Sequence, residues 1–330
     1  MRFLKKVALA FGMAATLLAT STLAPALAQT ELPIATFPFP SVSNIIADII
    51  LAKHFDEANG LKAKPIVYGT GGALWAGLAK GEIPVHNMSP FQLQKMRGDG
   101  VPIVMVGTLL RMNALQVVTR NPEVKTFADL KGRSFAGAVA FAEFSYLQIY
   151  AHTIGFDLLK DVQIIDANSA LAQAQLDANR VDAIMTWEPA ATQILKKYSD
   201  VRIILKGNDA WKQVTGDAGW ELDLVVRSDF MEANPGVLPH IIKMYKDAGD
   251  FIGSNPQDAD AIVASSKYAS KGVPAGTIFA AVAADRLIYD VRPSWEPTAN
   301  AQLWKMLDIG LKYNLIPGLP EKEAIQNAAP

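Results

Sequence analysis

The chain has 330 residues, a formal net charge of −1 and no cysteine, and half of its residues are hydrophobic. Lysine and arginine are balanced by acidic residues, so no charge excess indicates nucleic acid or an acidic membrane surface as a partner. The lack of cysteine excludes disulfides, and the length suffices for two lobes with their own cores.

The first 28 residues have the pattern of a secretory signal peptide. Three basic residues precede an apolar run over 7–18, and Ala26-Leu27-Ala28 ends the segment as a cleavage site would. A membrane anchor is the weaker interpretation, because Gly12 and a Ser/Thr-rich stretch interrupt the run before it reaches about 20 residues. We expect cleavage after Ala28. Because no cysteine there can carry a lipid, we expect an exported, soluble monomer in the periplasm of a Gram-negative cell, without stable membrane insertion.

Beyond the leader, short β-type runs alternate with helical patterns, which predicts an α/β fold with mainly parallel sheets. Ser41 is the candidate N-cap of the first helix, and Ser89-Pro90 is a strong helix start. In this half the pattern predicts strands over 34–37, 63–68, 83–87 and 102–108, and helices over 42–58, over 73–81 and after Ser89.

The pattern then restarts at Arg111. It predicts strands over 114–119, 134–137, 162–165, 181–186, 202–205 and 222–226, and helices over 126–130, 143–154, 171–178, 190–198, 234–254, 259–265, 274–284 and 298–313. We therefore expect a discontinuous lobe I from 29–112 and 221–330 and an inserted lobe II from 113–220. Hinge crossings are expected near 111–113 and 217–220, with a ligand cleft between the lobes.

Small or hydroxyl residues follow three strands of lobe I, at Ser41, at Gly69-Thr70-Gly71 and at Ser89. Each is also an ordinary helix start. Together they predict a cradle of backbone N–H groups, because ligands of open α/β sheets bind beyond the carboxyl ends of the strands. A dinucleotide or P-loop site is disfavoured, since Leu74 stands where the third glycine belongs and no Gly-Lys-Ser/Thr follows.

Aromatic residues mark the corresponding strand ends of lobe II. Phe141, Phe144 and Ser145 join a predicted strand to a helix, with a hydrophobic staple as the alternative for Phe144. Trp187-Glu188 lies between an apolar strand and a proline-started helix, with core packing as the alternative for Trp187. These positions predict contact with the cleft.

The two hinge crossings also carry polar or aromatic residues. Arg111 and Asn113 can donate hydrogen bonds from the first crossing. Asp217 and Trp220 occupy the second crossing, with a surface turn as the alternative.

No catalytic set is evident in the sequence. The four histidines lack the spacing of a metal site, no Gly-x-Ser-x-Gly elbow is present, and no nucleophilic cysteine exists. We therefore expect no enzyme activity, no metal and no cofactor.

The whole pattern resembles the substrate-binding proteins of ABC importers for sulfonates, taurine, nitrate and thiamine precursors, which have the type II periplasmic-binding-protein fold. The resemblance covers nearly all of the mature chain and is carried by Gly60-Leu61-Lys62-Ala63, Ala73-Leu74, Ala79-Lys80-Gly81-Glu82-Ile83, Asp129-Leu130-Lys131-Gly132-Arg133, and Arg180-Val181-Asp182-Ala183 ahead of Trp187-Glu188-Pro189. It implies ligand loops at 37–43, 69–71, 89, 111–113, 140–145, 187–188 and 217–220, and an inner-membrane permease as partner.

The sequence departs from the family at Gly137-Ala138-Val139-Ala140, where many relatives have a Gly-Ser pair. The departure leaves fewer hydrogen-bond donors for a sulfonate or nitrate. An apolar or aromatic organic ligand with one polar end is therefore at least as good a candidate as either anion. The predicted ligand-binding residues are Phe37, Ser41, Ser43, Gly69, Thr70, Gly71, Ser89, Arg111, Asn113, Phe141, Phe144, Ser145, Trp187, Glu188, Asp217 and Trp220.

The leading hypothesis is thus a solute-binding protein for an ABC importer. A periplasmic sensor that delivers the same ligand to a chemoreceptor or kinase is an alternative that the sequence does not separate. A pyrimidine-synthase-like enzyme is disfavoured, because those relatives have a cysteine-rich pattern and this chain has no cysteine.

Overall fold

The computed structural model describes residues 29–266 and 270–329. The predicted signal peptide, residues 1–28, lies outside the described residues. The described chain forms two five-stranded sheets with helices on both faces, which confirms the predicted two-lobed α/β fold. The strands are β1 (Thr30–Thr36), β2 (Leu61–Val67), β3 (Val85–Met88), β4 (Ile103–Arg111), β5 (Leu115–Thr119), β6 (Ser134–Gly137), β7 (Gln163–Asp166), β8 (Ala183–Trp187), β9 (Arg202–Lys206) and β10 (Trp220–Arg227).

Each sheet contains one strand that runs against the others. The first sheet has the order β2-β1-β3-β10-β4 and the second β7-β6-β8-β5-β9. Strand β10 is antiparallel to both β3 and β4, and β5 is antiparallel to both β8 and β9. The other strand pairs, β1 with β2 and β3 and β6 with β7 and β8, are parallel.

Helices cover both faces of each sheet. Helices of the first lobe pack on the sheet through apolar side chains such as Ile45 and Ile241 on one face and Leu93 and Leu303 on the other. The helices that the structure describes are α1 (Val42–Ala52), α2 (Phe55–Ala58), α3 (Gly71–Lys80), α4 (Pro90–Gly98), α5 (Ala142–Thr153), α6 (Leu158–Asp161), α7 (Ser169–Asp177), α8 (Ala190–Lys197), α9 (Gly207–Thr215), α10 (Ser228–Ala233), α11 (Val237–Ser254), α12 (Pro256–Ala264), α13 (Thr277–Ala283) and α14 (Pro297–Lys312). Single 3₁₀ turns occur at 112–114, 127–130 and 322–324.

Several helices differ from the sequence-based expectation, and the short helices α6 and α10 are among those that were not predicted. The helix expected over 42–58 is split into α1 and α2, because His54 adopts a left-handed backbone with φ 55°. The helix expected over 234–254 begins only after Gly236, whose φ of 81° interrupts the helical path. Helix α9 was not predicted, since Gly207-Asn208-Asp209 at its start has the composition of a turn.

The chain passes between the sheets at two adjacent points. Strand β4 leads out of the first sheet and β10 leads back beside it, with Trp220 in register with Arg111. The Met112 N–H donates to the Gly219 carbonyl at 3.2 Å, so the two crossings are joined directly. Strands of the first sheet lie within 30–111 and 220–227, and those of the second within 115–206. The finer lobe boundaries given above stay a prediction.

Candidate ligand-binding site

A cavity of about 140 Å³ lies between the lobes, beyond the carboxyl ends of β1, β3 and β8. This is the edge at which open α/β sheets bind ligands. Both lobes contribute to its lining, which consists of Phe37, Phe39, Ser41, Val42, Ser43, Gly71, Trp75, His86, Asn87, Met88, Ser89, Gln92, Ala140, Phe141, Ala142, Glu143, Trp187, Glu221 and Leu222.

Three helices of the first lobe start close to the cavity with hydroxyl N-caps. The oxygens of Ser41, Thr70 and Ser89 each accept a hydrogen bond of 3.2 Å from the backbone N–H three residues later. Each oxygen therefore uses one lone pair on its own helix, and its hydroxyl can still offer a ligand a proton or the second lone pair.

The aromatic loop after β1 is held by a buried asparagine. The Asn44 side chain accepts from the Phe37 N–H at 2.9 Å and donates to the carbonyls of Phe37 at 2.9 Å and Phe39 at 2.8 Å. Phe37 and Phe39 stack with ring centroids 5.0 Å apart. Because Asn44 fixes three backbone groups of this short loop, it positions both rings at the cavity.

Aromatic side chains from both lobes form the apolar walls. In the second lobe, Phe141 meets Trp187 edge to face with centroids 6.1 Å apart, and in the first lobe Trp75 meets His86 in the same way at 5.7 Å. Flat rings on opposite walls favour a flat, partly apolar ligand.

The titratable groups of the cavity are two glutamates and one histidine, and its lining contains no lysine or arginine. Burial lowers the pKa of His86 to about 3, so this imidazole is neutral near neutral pH. Burial raises the pKa of Glu143 to about 7, against the opposing effect of a hydrogen bond from its own backbone. Burial also raises the pKa of Glu221 well above its ordinary value, and the charge of Glu143 adds to this effect.

Seven of the predicted ligand-binding residues line this cavity: Phe37, Ser41, Ser43, Gly71, Ser89, Phe141 and Trp187. Thr70 caps α3 next to it, and Gly69 precedes that cap. Ser145 lines a neighbouring surface cleft with residues of α4 and the segment 315–317. For all of these residues, the ligand-binding role itself stays a prediction.

The remaining predicted residues lie outside the cavity lining. Phe144 is fully buried in the second lobe, where its ring packs near Phe135. Asp217 pairs with Lys305 at 2.5 Å, and Asn113 donates to the Asp285 carbonyl at 2.9 Å.

Arg111 and Trp220 belong to one buried cluster at the crossings. The Arg111 guanidinium lies 3.4 Å from the Trp220 ring centroid and donates from Nη2 to Asp290 at 2.6 Å. The Trp220 indole N–H donates to Gln302 at 3.1 Å, and its side chain is fully buried. Both side chains thus make contacts within the protein, while the buried Nη1 atom of Arg111 has no hydrogen-bond partner among the described residues.

Sequence reasoning did not single out five polar or aromatic lining residues: Trp75, His86, Asn87, Gln92 and Glu221. The sequence contained spacing that places two of them near predicted ligand residues. Trp75 is one helical turn after Gly71 and so shares its face of α3, and Gln92 is three residues after the N-cap Ser89. Glu143 lies inside the loop 140–145 that the resemblance implied.

The structure also limits other kinds of site. Within residues 29–266 and 270–329, no group of three or more histidine, cysteine or acidic side chains is arranged to hold a metal ion. In the same part of the chain, no helix has the length and apolar character needed to cross a membrane.

Comparison with known proteins identifies relatives of the sequence and of the fold. A family model described as NMT1/THI5 like matches residues 52–259. A Haemophilus influenzae protein provisionally named a thiamine biosynthesis protein is 33% identical over 144 residues, which cover 42% of this chain and 45% of that protein. The chain thus spans about half the length of this curated relative.

Solved structures with a similar fold include two sulfonate-binding proteins. The periplasmic aliphatic sulphonate binding protein SsuA from Escherichia coli has a TM-score of 0.72 and 19% identity, covering 89% of this chain and 91% of that chain. The alkanesulfonate-binding protein SsuA from Xanthomonas axonopodis pv. citri, bound to MOPS, has a TM-score of 0.72 and 17% identity, covering 91% and 99%. At these identities the likeness establishes the fold.

Proposed function

The chain belongs to the NMT1/THI5-like family, and on that premise we propose that it is a solute-binding protein that delivers one small organic molecule to the permease of an ABC importer. Its fold neighbours are binding proteins for small molecules, which supports the solute-binding role. Lobe closure around a ligand is the mechanism that a two-lobed fold with paired crossings permits.

The observation that carries the proposal is the cavity with walls from both lobes. Phe37 and Trp75 of the first lobe face the same space as Phe141 and Trp187 of the second. A ligand that contacts both walls is bound better when the lobes are together than when they are apart. By linkage, such a ligand stabilises the closed form that a permease would recognise.

The cellular setting of the proposal is the periplasm. The leader pattern of residues 1–28 supports export. In this proposal the protein diffuses as a monomer and meets its permease by collision. No cofactor or metal is part of the proposed function. The name of the H. influenzae relative makes a thiamine precursor one of the ligands to test, beside the sulfonates bound by the fold neighbours.

The test is a ligand search on the purified chain starting at Gln29. Native mass spectrometry would show whether a small molecule is carried through purification, and a thermal-shift screen of sulfonates, nitrogen heterocycles and aromatic acids would rank the classes. Tryptophan fluorescence reports on the same event, because Trp75 and Trp187 line the cavity. A chain that carries no ligand and responds to no member of the panel would contradict the solute-binding function.

Transport and turnover need separate measurements. Uptake of the identified ligand into vesicles that contain an ABC permease encoded beside the gene for this chain would support import. Failure of every such permease to transport the ligand would favour a sensory role. Recovery of the ligand unchanged after prolonged incubation with the protein would support binding without catalysis. A chemically altered product would contradict it.

A further inference from the structure

Two carboxyl groups from opposite lobes line the proposed ligand cavity. Glu143 is the second residue of α5 in the second lobe, and Glu221 is the second residue of β10 in the first. Both line the cavity, whose lining contains no lysine or arginine to neutralise them. The cavity is therefore acidic in composition, although the chain as a whole is nearly neutral.

Glu221 is the more constrained of the two groups. Its residue is 1% exposed, and its Oε2 atom has no hydrogen-bond partner among the described residues. The Leu115 backbone N–H donates to this carboxyl group, but a buried carboxylate oxygen without a donor is unfavourable, so the group either binds a proton or takes a donor at Oε2. The nearby Tyr146 hydroxyl is buried and also has no hydrogen-bond partner among the described residues, so it does not serve Oε2. Because Glu221 lines the cavity, a ligand in that cavity can supply the missing donor.

The surroundings disfavour an anionic ligand. A sulfonate or carboxylate would meet no lysine or arginine among the lining residues, and its negative charge would further oppose ionisation of the two carboxyl groups. The serine and threonine N-caps already satisfy part of the helix starts that would otherwise attract an anion. His86 cannot compensate, because burial keeps it neutral.

The aromatic walls favour the opposite charge. The stacked pair Phe37 and Phe39 and the edge-to-face pair Phe141 and Trp187 line the cavity. Aromatic faces attract cations, most strongly where water is excluded. Aromatic walls with two acidic groups are therefore complementary to a flat molecule with a positively charged, N–H-bearing end.

We propose that Glu143 and Glu221 together recognise the positively charged end of the ligand, and that the ligand class is a flat organic cation such as a protonated aromatic amine or amidine. The inference rests on the proposed solute-binding function and specifies its ligand. It departs from the sulfonates bound by the fold neighbours. Because one carboxyl comes from each lobe, a cation that contacts both carboxyls stabilises the closed arrangement of the lobes.

The direct test uses three probes of one shape and different charge. Isothermal titration of the chain from Gln29 with benzamidine, benzamide and benzenesulfonate compares a cation, a neutral amide and an anion on the same ring. We expect benzamidine to bind roughly tenfold or more tightly than benzamide, and benzenesulfonate to give no measurable binding. Benzenesulfonate binding as tightly as benzamidine, or benzamidine showing no binding at about 10 mM, would overturn the proposal.

Isosteric variants assign the effect to the two residues. Glu143→Gln and Glu221→Gln are each expected to lower benzamidine affinity at least roughly tenfold and to leave benzamide affinity nearly unchanged. Glu232→Gln, on the exposed part of α10, is the matched control and should bind like the parent chain. An unchanged benzamidine affinity in Glu221→Gln, with a normal melting temperature, would contradict the assignment.

Proton release supplies a second readout that is independent of affinity. Because burial favours the protonated carboxyls before binding, a cation should displace protons as it binds, and titration in buffers of different ionisation enthalpy measures their number. We expect proton release near neutral pH in the parent chain and less in Glu143→Gln.

If mass spectrometry instead identifies a bound sulfonate, this inference fails and the solute-binding function stands. If no ligand or probe binds, both fail.

Discussion

Arg286 donates a hydrogen bond from Nε to Oε1 of Glu188 at 2.8 Å and thereby joins the first lobe to the end of β8 in the second. The Arg286 Nη2 atom also donates to the Thr192 hydroxyl at 2.7 Å, and that hydroxyl donates to Glu188 Oε1 at 3.0 Å. The Thr192 backbone N–H donates a further hydrogen bond to Glu188 Oε2 at 3.2 Å. Glu188, a predicted ligand residue, is therefore fully buried in a contact between lobes and lies outside the cavity lining.

Removing Arg286 should destabilise the protein strongly. In Arg286→Met, Glu188 keeps its burial and loses its charged partner, and broken buried pairs cost about 3–5 kcal/mol. Urea unfolding should show this loss, whereas Glu188→Gln combined with Arg286→Met should regain part of it. The control is Lys246→Met, which removes an exposed pair with Asp250 and should cost below about 1 kcal/mol. A similar small cost in Arg286→Met would show that the contact does not stabilise the fold.

The partner of Glu188 illustrates what the sequence could not predict. Arg286 is 98 residues further along the chain, and nothing local to Trp187-Glu188-Pro189 indicates that pairing. The same holds for Arg111, whose partner Asp290 lies 179 residues away. Strand-end position is a local property that the sequence reveals, whereas the contacts that occupy a polar side chain depend on tertiary structure.

The fold was more predictable than the site, because its signals are local. Alternating β-type runs and helix starts such as Ser89-Pro90 predict elements that the structure places within a few residues of the expected bounds. The exceptions are backbone conformations that composition does not specify, such as the left-handed His54 between α1 and α2. Glu221 was missed because a glutamate at the start of an apolar strand has no local feature that marks it as a cavity residue.

Trp187 should contribute to binding more than to stability. Its side chain is partly exposed and lines the cavity against Phe141. Trp187→Ala should weaken binding of the ligand identified by mass spectrometry roughly tenfold or more, since it removes an aromatic wall. Trp304→Ala, in α14 and outside the cavity lining, is the control and should retain affinity. Unchanged affinity in Trp187→Ala together with a large drop in melting temperature would place Trp187 in the core instead.

Asn44 should affect both stability and binding, because it holds the loop that carries Phe37 and Phe39. Asn44→Ala leaves three backbone groups of that loop without their partner, at an expected cost of about 1–3 kcal/mol. Asn59→Ala is the matched control, since Asn59 is also buried and hydrogen-bonded but lies at the end of α2, away from the cavity. Calorimetry should show weaker ligand binding for Asn44→Ala alone. Equal affinities in the two variants would argue against a positioning role.

His86 should stay neutral well below the pH at which histidines ordinarily titrate. Burial lowers its pKa to about 3, so the folded state disfavours the charged imidazole. A base with a lowered pKa contributes stability above its unfolded pKa of about 6.5, and that contribution falls as the pH drops toward 3, by at most about 1.4 kcal/mol per pH unit. Nitrogen chemical shifts of the ligand-free protein should show a neutral ring at about pH 5. A titration midpoint near 6.5 would be inconsistent with this burial.

Glu143 should give the ligand-free protein the opposite pH dependence. Its pKa is raised to about 7 by burial, so its protonated form is favoured in the folded state. Its contribution to stability is therefore complete below its ordinary pKa near 4.5 and is lost as the pH rises through about 7. Glu143→Gln cannot ionise and should lack this decline, so the difference in unfolding free energy between variant and parent chain should grow in favour of the variant from about pH 5 to pH 8. Urea unfolding across that range measures the difference. A constant difference would mean that Glu143 ionises as freely in the folded protein as in the unfolded chain.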